Sequence, residues 1–534
     1  MVVPVVWLSY REEIPSRGYW DDALFEDYFS GQLWGTEEQY AFEHRFDLLN
    51  LDGAVIVFPG RAQVDYIDQL NKDISCLKWV VLIITGDEEG LFPIDKIEHP
   101  NMELWVMSAK PGARGHPFLN GYTPQTKLLD GMSYQKETDW FFAGQVTHKR
   151  RELCAAKLKE IGGGVLVETE GFTKGLPHAE YFEKLAGAKV APCPSGPQTP
   201  DTFRLYEALE AHSIPIVDIK TPENNYPDYW GNLFGEEVPF PVIRCDYESL
   251  PSYMSELLAD YPASSNKVVA WWLRYKRKLT NALNESIHKV SGCAGDKQSD
   301  ITVLMPASPV RTNPSTDMIE ETILSVRNHL PTSEIILMFD RPTGADSKYD
   351  EHIAKCLWLC NHRWKNILPL IFDKHTQQAS MTKIALSYVK TPAILFVEHD
   401  APLVPDYEIP FNSMLEVIVS GYANVIRLHH EALVLPEHEH LMMDKDAIYS
   451  SGVPMLRTYQ WSQRPHLAST VFYRKMLKDY FPAGKITFIE DIMHGVLDEV
   501  RIKEGKMGWY NFRVCLYAPE GNIKRSYHLD GRKS

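Results

Sequence analysis

The chain has 534 residues and a formal charge of −16, with 55 Lys and Arg against 71 Asp and Glu. That length suggests roughly two to four domains, and the acidic balance argues against broad non-specific nucleic-acid binding. No run approaches the ~18 apolar residues of a membrane-spanning helix, and a 44% hydrophobic, 24% charged composition without biased tracts is that of a soluble globular enzyme.

The opening "MVVPVVWLSYREE" reads as a first β-strand. Its apolar part is too short for a signal peptide and has no basic leader. Further strands are predicted at "GAVIVFPG", "WVVLIITG" and "MELWVMS", with a helix over 63–75 between the first two. "FLNGYTPQTKLLDG" (118–131) is a turn-rich crossing, and "DWFFAGQ" (139–145) begins a second α/β series. That series runs through "GVLVET", "AKVAPCP" and "SIPIVDI" to a long helix over 266–290. "THKRREL" (147–153) and "LRYKRKL" (273–279) are local basic patches or solvated helix faces. "SGCAGDKQSD" (291–300) has linker chemistry, which puts the main boundary near residue 296 and a weaker one near 135. A fresh strand, "ITVLMPASP" (301–309), follows, then a helix "DMIEETILSVRNHL", a strand "SEIILMFD", and later "TPAILFVEHDAPLVP" (391–405). Strands alternating with helices, without solenoid repeats, predict parallel α/β layers. The eight cysteines form no CxxC pair, consistent with thiols in a reducing cytosol.

"TPAILFVEHDAPLVP" is an apolar run that stops at Glu398, His399 and Asp400. Charged groups are rarely buried alone, so this strand exit implies a cation. In extended chain, residues i and i+2 share a face, which would aim both carboxylates at one hard ion such as Mg2+ or Mn2+ bridging a diphosphate. The plainer alternative is a turn carboxylate beside a helix cap. Downstream, "TFIEDIMHGVLDE" (487–499) supplies Glu490 and Asp491, either of which could take a proton from an attacking hydroxyl. His528, in "NIKRSYHLDGR" (522–532), offers an imidazole to complete a metal shell. "YQWSQRPHLAST" (459–470) is either an acceptor-binding loop or a packed aromatic one. "RLHHEALVLPEHEHLMMD" (427–444) has clustered histidines but no H-E-x-x-H, and reads as a surface or acceptor loop rather than a zinc site.

With these motifs in this order, residues 301–530 resemble a GT-A glycosyltransferase of the family 2 type, with Glu-His-Asp where that family usually carries Asp-x-Asp. The resemblance implies that Asp340 and Glu398 bind the donor, Asp400 and His528 the metal, and Trp461, Arg464 and His466 the acceptor. Asp491 would be the base of an inverting displacement, with Glu490 beside it.

The stretch 171–217 runs from a strand, "AKVAPCP", through a Gly/Pro/Thr loop into "TPDTFRLYEALEA". Thr199 or Asp201 suits a helix cap, and the helix N-terminus suits a diphosphate. Arg204 offers a fork to phosphate and Glu207 an acceptor for ribose hydroxyls, unless the two merely pair at i,i+3. This pattern resembles the nucleotide-binding half of exostosin-like GT-B glycosyltransferases over about residues 138–260. By that match Gly144 and Gln145 would line the donor cleft, and Lys149 and Arg150 would reach phosphates.

Together the resemblances imply an α/β chain. A GT-B pair of Rossmann-like domains (1–135 and 136–292) would be followed by a GT-A domain (300–534). The implied function is a bifunctional glycosyltransferase using nucleotide-sugar donors, UDP-linked by expectation, with Mn2+ or Mg2+ in the GT-A half. The C-terminal half also looks like bacteriophage glycosyltransferases. The expected location is therefore the cytoplasm of a bacterial or phage-infected cell, and the acceptor a glycan, a glycoprotein or a hydroxymethylated base in phage DNA. The alternative is that one half is a non-catalytic module that binds acceptor for the other.

Overall fold

The computed structural model describes residues 3–11, 40–45, 47–87, 90–107, 112–171, 174–292, 299–431, 433–482, 486–521 and 523–529. Three sheets carry the chain. The first contains β1 (Val3–Leu8), β2 (Tyr40–Arg45), β3 (Gly53–Pro59), β4 (Trp79–Thr85), β5 (Met102–Val106) and β6 (His116–Pro117), in the order β2-β1-β3-β4-β5-β6. All its pairings are parallel. The second contains β7 (Thr138–Gly144), β8 (Gly164–Glu168), β9 (Ala188–Cys193), β10 (Ile214–Asp218) and β11 (Val242–Ile243), in the order β11-β10-β9-β7-β8 and again parallel.

The third sheet has nine strands. Its first part is β12 (Ile301–Ala307), β13 (Ile335–Phe339), β14 (Ile367–Ile371) and β15 (Ala393–Phe396). The rest is β16 (Val425–Arg427), β17 (Ile448–Ser450), β18 (Val453–Arg457), β19 (His466–Ser469) and β20 (Val514–Tyr517). Their order is β14-β13-β12-β15-β19-β16-β20-β18-β17. The four strands from β12 to β15 pair in parallel, but β19 runs antiparallel to both β15 and β16. The sheet is therefore mixed rather than uniformly parallel. The chain divides into two compact units, one of Met1–Asp296 with Leu357–Trp364, the other of Lys297–Cys356 with Lys365–Ser534.

The α/β reading is borne out, because apolar runs buried on both faces become inner parallel strands. Every residue of β4 and of β12 is buried. In each of the first two sheets a tryptophan lies over a cross-strand glycine, Trp79 over Gly53 and Trp140 over Gly164. A Cβ at either glycine would sit 2.2 or 2.1 Å from the indole, so only glycine admits the ring there.

Several boundaries differ from expectation. The helix expected over 63–75 is regular only across Ile67–Ile74. Gln63 leaves helical geometry, and its buried side chain accepts from Tyr10 N (2.6 Å) at the end of β1. β2 was not anticipated, since "YAFEHR" mixes polar and aromatic residues as an edge strand can. The long helix spans Ala263–Ser291 and stops at Gly292, whose φ of +65° suits glycine. Of the expected linker, residues 293–298 lie outside the described residues. No disulfide joins the described cysteines, and no helix among the described residues is long and apolar enough to cross a membrane.

Candidate functional site

In the second unit the carboxyl ends of β12, β13 and β15 adjoin, as parallel neighbours must. Pro306, next to last in β12, has no N–H but accepts from His399 N (3.2 Å), and Thr322 Oγ1 donates to His399 O (2.7 Å). His399, which separates Glu398 from Asp400 in the chain, is thus pinned by its backbone, and its side chain is buried. β15 itself ends at Phe396. Glu398 and Asp400 therefore lie in a turn closed by Ala401 N to Glu398 O (3.0 Å), not in extended chain as expected. They remain electrostatic neighbours. Burial pushes the Glu398 carboxyl up to about 8, with the charges of Asp400 and Glu490 adding to the rise and Arg464 and the Gln378 amide opposing it.

The C-terminal segment runs along this turn. Val404 N donates to Arg525 O (3.2 Å), Tyr527 N to Pro402 O (3.0 Å) and Leu529 N to Asp400 O (2.8 Å). That register sets His528 Nε2 3.3 Å from Asp400 Oδ2, both groups being partly exposed. Among the described residues no three His, Cys, Asp or Glu side chains are grouped to hold a metal by themselves. The Asp400–His528 pair offers one carboxylate oxygen and one imidazole nitrogen, a mixed donor set that could hold a divalent ion only with further ligands from outside the chain.

Asp340, one residue past β13, is buried and accepts from three backbone N–H groups: Arg341 (2.9 Å), Thr376 (2.8 Å) and Gln377 (3.1 Å). It thereby caps the start of the helix Gln377–Ala385, where Gln377 holds a φ of +58°. Beyond β12 and β13, residues 309–313 and 342–348 enclose a cleft of about 400 Å³ with Arg311 and Lys348 in its wall.

Glu490 and Asp491 open the helix Ile489–Glu504. Glu490 accepts from Gln463 N (3.1 Å) and is the member of the pair felt by Glu398; Asp491 is solvent-exposed. Gln378 and Gln463 are polar members that sequence reasoning missed. Gln378 Nε2 donates to Glu398 Oε1 (2.9 Å), and its Oε1 accepts from Gln463 Nε2 (2.9 Å) and Ile489 N (3.1 Å).

The acceptor assignments separate. Arg464 is half-buried and electrostatically close to Glu398. Trp461 and His466 are 2% and 1% exposed and belong to the core. His466 stacks on Phe396 at 5.2 Å and bonds Arg464 O (2.8 Å) and Tyr473 Oη (3.0 Å). Their expected contact with an acceptor is corrected to a packing role: His466 opens β19, an inner strand of the sheet, and the buried Trp461 packs against His466 and Tyr473.

In the first unit the ends of β7 and β9 adjoin. Arg151 bridges their loops, donating to Gln145 O (3.2 Å) and Ser195 O (3.2 Å). The helix Phe203–Glu210 starts after Thr202, so neither Thr199 nor Asp201 is its cap; Asp201 instead accepts from Tyr206 Oη (3.0 Å). Arg204 is buried over the Phe142 ring and donates to Ala143 O (2.7 Å). Gly144 is what admits it, since a Cβ there would lie 2.3 Å from the guanidinium. Glu207 accepts from Tyr181 Oη (2.8 Å) and Thr123 Oγ1 (3.2 Å). Burial pushes its carboxyl up to about 7 against the pull of Tyr181, Arg204 and Thr123. Ser195 Oγ and Thr202 Oγ1 are buried at the same loop without a hydrogen-bond partner among the described residues. Arg150 is corrected: its guanidinium forks onto Asp218 (2.8 and 2.8 Å) and Cys245 O (3.0 Å), and so is engaged inside the fold rather than held for phosphate.

No family model matches the chain, and no curated protein matches it. Among solved structures, residues 1–349 of S. aureus TarS align at 14% identity and a TM-score of 0.27, over 43% of this chain and 60% of that one. The mannosyltransferase PcManGT from Pyrobaculum calidifontis, in complex with GDP-Man and Mn2+, aligns at 13% identity and 0.26, over 42% and 59%. A UDP-glucose pyrophosphorylase complexed with UDP-glucose aligns at 10% identity and 0.26, over 40% and 89%. The chain thus spans about 60% of the TarS fragment's length. Similarity this low leaves the α/β architecture resting on the chain's own strands and registers.

Proposed function

We propose that the second unit transfers a sugar from a nucleotide-sugar donor to an acceptor hydroxyl. The observation that carries this reading is the convergence of Glu398, Asp400, His528, Glu490 and Arg464 at one strand exit. The cleft beyond β12 and β13 would take the nucleoside, with Arg311 and Lys348 of its wall available to the phosphates. Asp400 and His528 would hold Mn2+ or Mg2+, which supplies charge neutralisation to the departing diphosphate. Glu398, held by the Gln378 amide beside them, would contact the donor. Glu490 or the exposed Asp491 would accept the proton of the attacking hydroxyl in an inverting displacement. The test is donor turnover by the full chain across a panel of nucleotide sugars. Asp400→Asn and the double variant Glu490→Gln with Asp491→Asn should each lower kcat by about 100-fold or more; wild-type activity in both would refute this site.

The first unit is proposed as a second nucleotide-sugar site at the β7 and β9 ends, where Ser195 and Thr202 offer two unsatisfied hydroxyls beside a helix start. One observation favours the rival reading of a non-catalytic, acceptor-binding unit: Arg204 and Glu207 are both bonded internally. A glycan, a glycoprotein or modified DNA remains the class of acceptor in either case, with the bacterial or phage setting carried by the sequence resemblance.

A further inference from the structure

Gln378 is 3% exposed and meets three separate segments. It sits in the first turn of the helix Gln377–Ala385, whose start Asp340 caps by accepting from Thr376 N and Gln377 N. Its amide orientation follows from chemistry. The Ile489 N–H can only donate, so the oxygen of Gln378 must face it, and the NH2 group must face Glu398. The same logic orders Gln463, whose NH2 donates to the Gln378 oxygen while its backbone N–H donates to Glu490. Since Glu490 follows Ile489 in the chain, Gln378, Gln463 and the helix start form a closed ring of hydrogen bonds, to which Glu398 is joined through Gln378. Ala379 N to Thr487 O (3.4 Å) ties the same segments again.

We propose that Gln378 is a positioning residue. It fixes the distance between the strand-end carboxyl of Glu398, on the donor side, and the carboxylates that open the helix Ile489–Glu504, on the acceptor side. The inference rests on the sugar-transfer reading of this unit. The Glu398 and Glu490 carboxyls are electrostatic neighbours, and here each is met by a donor from the intervening glutamines. An apolar side chain of equal volume would fill the space but leave Glu398 Oε1 and Ile489 N unpaired. A shift of about 1 Å between donor and base is enough to cost about 100-fold in rate.

The experiment uses the full chain with UDP- and GDP-sugars, comparing wild type with Gln378→Met, Gln378→Asn, Gln463→Met and the double Met variant. The expected result is a kcat for Gln378→Met lowered by about tenfold or more with the donor KM within about twofold, because the lost bonds govern alignment rather than donor binding. Gln463→Met should reproduce the loss, and the double variant should be no worse than the poorer single one, as for members of one ring. Gln378→Asn, shorter by one methylene, should not rescue. Unchanged kcat in Gln378→Met, multiplicative losses in the double variant, or equal changes in kcat and KM would each overturn the role. No donor turnover in wild type would instead refute the transferase reading, a distinguishable outcome.

Discussion

Glu207 is buried with two hydroxyls on its oxygens, and its carboxyl is pushed up from 4.5 to about 7. Between those values the folded state holds a proton that the unfolded state has released. Stability must therefore fall as pH rises through that window and level off above it. Glu207→Gln lacks the titration, so its stability relative to wild type should improve between pH 4.5 and 7, at a rate of order 1 kcal/mol per pH unit at most. Denaturant unfolding of both proteins across that range checks it, and parallel curves would mean that Glu207 is already ionised. The same residue marks how far sequence reading reaches. Its place one turn inside a helix was legible from "TPDTFRLYEALEA", but its partners Tyr181 and Thr123 lie 26 and 84 positions away. Arg150 fails for the same reason. A basic residue at a helix start reads as a phosphate ligand until Asp218, 68 positions on, is seen to occupy it.

At the scale of elements, the acidic exit of β15 was legible because an apolar run that halts at charge must meet either water or a counter-charge. What the pattern did not reveal is the helix Gln377–Ala385, which carries no motif and whose start is organised by Asp340 from 36 or more positions upstream. Asp340 is thus a cap as well as a candidate nucleoside contact. Asp340→Ala should leave the N–H groups of Thr376 and Gln377 without their acceptor, at a cost of about 1–3 kcal/mol. Amide hydrogen exchange at Thr376–Gln378 should accelerate more than exchange in β12. Equal exchange in the variant and wild type at those amides would mean the cap is not holding the helix start. Trp461 and His466 show the opposite limit. Aromatic residues near a polar loop suggest an acceptor platform, yet antiparallel pairing of β19 with β15 and β16 carries His466 into the core, and Trp461 is buried against it.

At the scale of the whole molecule, two compact units each bring parallel strand ends, a following helix and buried titratable groups to one place. If both are transfer sites, their chemistries are separable, because the groups involved share no side chain. With one donor per site, Asp400→Asn should abolish turnover of one nucleotide sugar and spare the other, while Glu207→Gln should do the reverse. Thermal unfolding of each variant should stay close to wild type, so that lost turnover is not lost fold. If Glu207→Gln leaves every donor untouched but weakens acceptor binding, the first unit is an acceptor module, as the internal bonding of Arg204 and Glu207 favours. If either variant silences all turnover, the two sites act in sequence on one acceptor, the product of the first being the substrate of the second. Supplying that intermediate product to the Glu207→Gln chain should then restore turnover by the second unit alone, and a failure of that rescue would leave no ground for two sequential transfers.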